Sequence, residues 1–137
     1  MWILVLFLLF LAAHLNLTAI VPLQIGDAPP PWWVGGRLLW PFAVETNTLV
    51  PPGDALNALT PILGIGSALL FLLAAAALLQ WRVPATWFGA LIVAGVVLSI
   101  VLQAIWFTGW SVLPLLVNVA LLWLVFGQQV TVGSLRA

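Results

Sequence analysis

A single histidine, His14, sits in the stretch LAAHLNLT, inside an otherwise hydrocarbon run. A neutral imidazole there has two chemical uses. It can be the axial ligand of a chlorophyll-type magnesium, or it can donate a hydrogen bond to a quinone carbonyl. An ionisable group within an apolar span is a functional candidate by default. Two amides, Gln103 and Asn118, lie in other apolar stretches. Unpaired amides in hydrocarbon are costly. His14, Gln103 and Asn118 are therefore expected to share one interior region, either as a ligand pocket or as hydrogen-bond partners of one another. Bis-histidine haem within one chain is excluded, because there is no second histidine. With no cysteine, disulfides, thiol catalysis and cysteine metal sites are excluded as well. No metal site and no catalytic residue is expected. The chain has no glycine-rich phosphate loop, no HExxH, no carboxylate pair within one span, and no serine placed with a histidine and an acid.

The composition names the solvent. The chain of 137 residues is 65% hydrophobic and 4% charged, with three basic and three acidic side chains. Water-soluble domains carry about 25% charged residues. Lipid is the expected solvent for most of the surface, and zero net charge leaves no nucleic-acid footprint. A membrane-crossing helix needs roughly 20 apolar residues. Four stretches qualify, over about residues 2–22, 56–81, 86–107 and 110–128. The short links QWRVPAT and FTGW make neighbouring spans antiparallel. The expected fold is an all-α, antiparallel four-transmembrane-helix bundle, a single membrane domain over residues 1–137. It has one long external loop, about 23–55, and a short cytoplasmic tail, about 129–137. The first stretch lacks a basic leader and a small-x-small cleavage site, so it reads as a retained helix rather than a signal peptide. Arg82 and Arg136 fall on the side of the N-terminus, so the positive-inside rule places both termini in the cytoplasm. Asp27, Glu45 and Asp54 fall outside. Absence of lysine beside abundant alanine, leucine and tryptophan suggests a bacterial gene, hence a bacterial cytoplasmic (inner) membrane.

The external loop contains PPPWWVGGRLLWPF. Trp32, Trp33 and Trp40 suit the headgroup zone, with Arg37 beside them, and RLLWPF is expected to form a short interfacial turn. Trp2, Trp81, Trp87, Trp106 and Trp110 fall at span ends, as belt anchors do. Small residues mark close helix approach: Gly64 and Ala68 in the second span, and Gly95 and Ser99 in the third, with Ala90 and Ala94 beside them. Polar residues gather in the outer half of every span: His14, Asn16 and Thr18; Asn57, Thr60 and Ser67; Ser99 and Gln103; Ser111 and Asn118. Pro61 and Pro114 lie in the same half, where each is expected to free a carbonyl and bend its helix.

LAAHL resembles the histidine region of bacterial light-harvesting helices over about five residues, with Phe10 where those helices carry a small residue. In size and span count the chain is similar to small four-helix bacterial membrane proteins such as the DoxX-like group, without a shared motif. The functional expectation is a non-catalytic structural or accessory subunit of a larger membrane complex, or a homo-oligomer, with no cofactor. The alternative is a binding protein for a quinone, pigment or lipid in the outer half of the bundle. A transporter or membrane enzyme is least favoured, since no acid or lysine lies within a span.

Overall fold

The computed structural model describes residues 1–20, 33, 36–39, 41, 47–48, 53–107 and 111–136. Trp32, Trp40, Trp110, Asp27 and Glu45, named above, lie outside the described residues, as do the side chains of Arg37 and Asn57. Helix α1 covers Trp2–Leu17 and tightens into a 3₁₀ turn at Thr18–Ile20. A helical turn, α2, covers Gly36–Leu39 and overlaps the start of the RLLWPF stretch. Helix α3 runs over Asp54–Leu78. A 3₁₀ turn at Ala85–Trp87 leads into α4, Phe88–Ile105. Helix α5 covers Val112–Leu122 and widens into a π-helical turn at Trp123–Gly127. Three of these helices are long and apolar enough to cross a membrane, and the fourth, Val112–Gly127, is apolar but shorter. A two-residue antiparallel pairing joins β1, Asn47–Thr48, to β2, Trp106–Phe107.

Local chemistry explains the ends. Asp54 in the first turn of α3 suits the positive end of the helix dipole. At its far end Trp81 N–H donates to the Ala76 carbonyl at 2.8 Å and Gln80 N–H to Ala77 at 3.0 Å. This is the Schellman pattern, and it needs a left-handed residue between. Gln80 fills that place at φ 57 without being glycine. The two prolines differ in their place along the helix. Pro61 lies inside α3, where it removes a helical hydrogen bond. Pro114 is the third residue of α5, and the first helical bond there runs from Leu115 N–H to the Ser111 carbonyl. Its missing N–H belongs to the first turn, whose N–H groups have no helical acceptor, so it frees nothing.

The helices pack in antiparallel neighbours. Along α3 and α4, Thr60 meets Trp106, Gly66 faces Leu98, and Gly95 faces Phe71. The order reverses between the two chains, as antiparallel helices require. Gly64 rests on the Asn16 carbonyl of α1, where an added Cβ would come within 3.0 Å. At the opposite end Gly89 faces Val125. Phe71, Phe88, Leu9, Ile92 and Leu121 fill the space between helices. The outer surface is apolar too: Ile3, Phe7, Ile62, Leu69, Val97, Leu116 and Val119 are exposed. Ala90 and Ala94 join this outer surface and do not widen the buried face of Gly95, Ser99 and Gln103.

The segment after the fourth apolar helix does not hang free. Thr131 and Ser134 cap each other, Thr131 N–H to Ser134 Oγ at 2.9 Å and Ser134 N–H to Thr131 Oγ1 at 3.1 Å. This reciprocal cap starts a short helix, α6, Val132–Arg136, whose Val132 and Leu135 are buried in the core.

Candidate functional site

The buried polar side chains all belong to one end of the bundle. They are Asn16 and Thr18 of the first helix and its turn, Thr60 and Ser67 of α3, Ser99 and Gln103 of α4, and Ser111 and Asn118 at the start and middle of α5. Antiparallel packing brings these segments to one level. The facing half contains only hydrocarbon among its buried described residues, from Val5 and Leu9 to Leu78, Phe88 and Leu121.

Ser99 is the hub. Its Oγ accepts from Gln103 Nε2, one turn along α4, at 2.9 Å, and from Asn118 Nδ2, on α5, at 2.9 Å. A hydroxyl oxygen has two acceptor sites, and both are used. Gln103 and Asn118 are thus brought together through Ser99, which the sequence had marked for helix packing. His14 takes a different partner. Its Nε2 donates to the Leu39 carbonyl at 3.0 Å, so the helical turn α2 is tied to α1. Half-buried, it is one point among the described residues where the long loop attaches to the bundle.

A second tie lies between α3 and the end of α4. Trp106 Nε1 donates to Thr60 Oγ1 at 2.6 Å, and Thr60 Oγ1 donates to the Leu56 carbonyl at 2.8 Å. The backbone of the same tryptophan pairs with Thr48. Trp106 therefore uses its indole on α3 and its main chain on the loop, and its place at a span end is more than anchorage. The other hydroxyls serve their own helices, Thr18 to the Leu15 carbonyl at 2.6 Å and Ser67 to Gly64 at 3.1 Å. Asn16 Nδ2 likewise donates to the Ala12 carbonyl at 2.7 Å.

Among the described residues, three buried polar atoms have no partner: Asn16 Oδ1 and Gln103 Oε1, which accept, and Ser111 Oγ, which can accept or donate. Buried polar atoms are normally paired, so these are the groups a donor from water or a ligand would satisfy. The sequence singles out Gln103 and places Asn16 and Ser111 in the polar half, but which of their atoms is orphaned is defined only by what surrounds them. The packing residues fall where their size requires. Gly95 lies under the Phe71 ring, and Gly64 lies against the α1 backbone with Ala68 buried one turn further along. Trp33 is exposed. No cluster of three or more metal-ligating side chains occurs among the described residues.

His14→Leu removes one donor and leaves the Leu39 carbonyl open to other partners. The expected loss is about 1 kcal/mol, the ordinary net worth of such a bond. Its signature is local: backbone amides of residues 36–39 should exchange hydrogen faster while those of α3 and α4 stay protected. Equal acceleration throughout would refute the latch role.

Comparison with protein-family models, with curated proteins and with solved structures yields no match.

Proposed function

We propose that the chain is an integral membrane protein of the bacterial inner membrane, an antiparallel bundle of four spans with both termini cytoplasmic, acting as a non-catalytic structural or accessory subunit. One observation carries the reading. Among the described residues, the polar side chains of this half are tied within the chain, Gln103 and Asn118 to Ser99, Trp106 to Thr60, His14 to the Leu39 carbonyl and Asn16 to its own helix. Such pairs hold spans together and reduce what is left to engage a substrate. The outer surface supports the membrane environment, since apolar side chains cover all four helices from Ile3 to Phe126. An exposed apolar area on this scale suits lipid or a membrane partner rather than water. Charge supports the orientation: Arg82 and Arg136 share one end, and Asp54 opens α3 at the other.

A second reading has its own support. Asn16 Oδ1 and Gln103 Oε1 await donors, and Ser111 Oγ can accept from one. A quinol hydroxyl, a lipid headgroup or a pigment substituent would supply one, and His14, Gln103 and Asn118 would then border the ligand. Purification in mild detergent separates the two readings. A stoichiometric protein partner supports the subunit. A small molecule retained by the lone chain supports the binding protein.

Topology has a direct check. Single cysteines at Ala55 and Gln128, both exposed, lie at opposite ends of the bundle. An impermeant thiol reagent added to intact cells should label the first and spare the second. Equal labelling, or the reverse, overturns the orientation.

A further inference from the structure

We propose that a cleft at the arginine end seats one acyl chain of an anionic phospholipid, with the lipid phosphate held by Arg82 and Arg136. This rests on the membrane reading above. The cleft is about 400 Å³ and lies between the turn entering α4 and the segment entering α6. Ala85, Phe88, Gly89, Val130 and Val132 give it apolar walls, and Thr86 adds a hydroxyl. Its size falls in the range of small-molecule sites, about 300–1,000 Å³. The walls are mainly apolar and fit a hydrocarbon chain, with the hydroxyls of Thr86 and Thr131 as the polar side chains of the lining.

The arginines supply the second, independent observation. Arg82 precedes the first lining residue by three positions, and Arg136 follows the lining residue Gly133 within the short helix α6. Both are exposed, and neither forms an ion pair among the described residues. Each guanidinium is braced on an indole, Arg82 at 5.9 Å from the Trp81 ring and Arg136 at 4.7 Å from Trp2. An arginine held near an indole retains its N–H donors, the fork that grips phosphate. Asp27 and Glu45 precede α3 in sequence, and Asp54 opens α3 at the end away from Arg82. Two exposed cations that flank the lining residues of an apolar cleft in sequence, at the cytoplasmic face of the proposed topology, match a lipid with a negative headgroup and a chain to bury.

Native mass spectrometry of the full chain in mild detergent tests this, with phosphatidylglycerol and phosphatidylcholine added in equal amounts. Phosphatidylglycerol should be retained in preference. Arg82→Gln and Arg136→Gln should each lower that preference about fivefold, and about 25-fold together, as expected for one surface cation each. Ala85→Leu, which fills the cleft, should lose the lipid with both arginines in place. Arg37→Gln should change nothing. Glycerol phosphate, which has the charge and no chain, should fail to compete. Equal retention of the two lipids, a double variant that keeps its preference, or competition by glycerol phosphate would each overturn the proposal. A chain that leaves carbonate-washed membranes would overturn the membrane reading itself. A chain that stays in them without lipid preference would overturn this site alone.

Discussion

Gly95→Ala should destabilise the bundle by about 1–3 kcal/mol, the usual result of forcing volume into a packed core. An added Cβ at Gly95 would lie 2.9, 3.0 and 3.2 Å from three atoms of the Phe71 ring, closer than real contacts allow. The ring cannot swing out of the way cheaply. Phe71 is fully buried, with zero exposure, among α3, α4 and their neighbours. The clash therefore acts on the spacing of the α3–α4 pair. Phe71→Leu in the same chain should recover much of the loss, because it withdraws the ring that meets the new methyl. Unfolding in mild detergent, followed by helical circular dichroism, reads both variants. A Gly95→Ala chain as stable as the parent, or no recovery in the double variant, would show that this contact does not set the helix spacing.

Ser99→Ala is the second large effect. It leaves Gln103 Nε2 and Asn118 Nδ2 without their acceptor. A buried donor left unsatisfied costs about 1–3 kcal/mol in water-soluble cores. Interhelical bonds measured in membranes average about 0.6 kcal/mol, with a maximum near 1.7. The expected loss for two such donors is therefore about 1–3 kcal/mol. Asn118→Leu should cost less, although it breaks one of the same bonds. It removes the donor together with the bond, and Ser99 still serves Gln103. The order of the two losses is the test. A larger loss for Asn118→Leu would mean that Asn118 packs or binds in a way that the Ser99 hub does not explain. The two readings of the site also separate here. In the subunit reading, Ser99→Ala loosens the fold and leaves any copurifying molecule in place. In the binding reading, that molecule is lost while the helices remain folded.

The described contacts join Gln103 to Asn118 through Ser99, and join His14 to the loop. The pairing of Gln103 with Ser99 was legible beforehand, since residues four apart share a helix face. The partner of Asn118 was half legible, as an amide at the matching depth of the next span. The partner of His14 was not legible at all. Leu39 is 25 residues away, and the acceptor is a backbone carbonyl, which every residue carries. Trp106 and Thr60 are 46 apart, and only the packing of α3 on α4 pairs them. Gln80 in a left-handed cap was equally hidden, because glycine is the usual signal there.

What the sequence determined by itself is local or summed over a window: the number of apolar helices, their approximate ends, and the gathering of polar residues in one half of each. Apolar length and the position of a side chain along its helix depend only on neighbours in the chain. Which face turns inward was decided by tertiary structure. In a soluble helix the polar face marks the outside, but these helices carry hydrocarbon on both the buried and the exposed side, as Leu9 and Phe10 or Val96 and Val97 do. A sequence of uniform hydrophobicity has no contrast from which to read orientation. Ala90 and Ala94 show the consequence, small residues that look like a packing face and lie on the outside. Volume settles what hydropathy leaves open: Gly95 faces inward because the Phe71 ring lies against it, and Gly64 because the α1 backbone does.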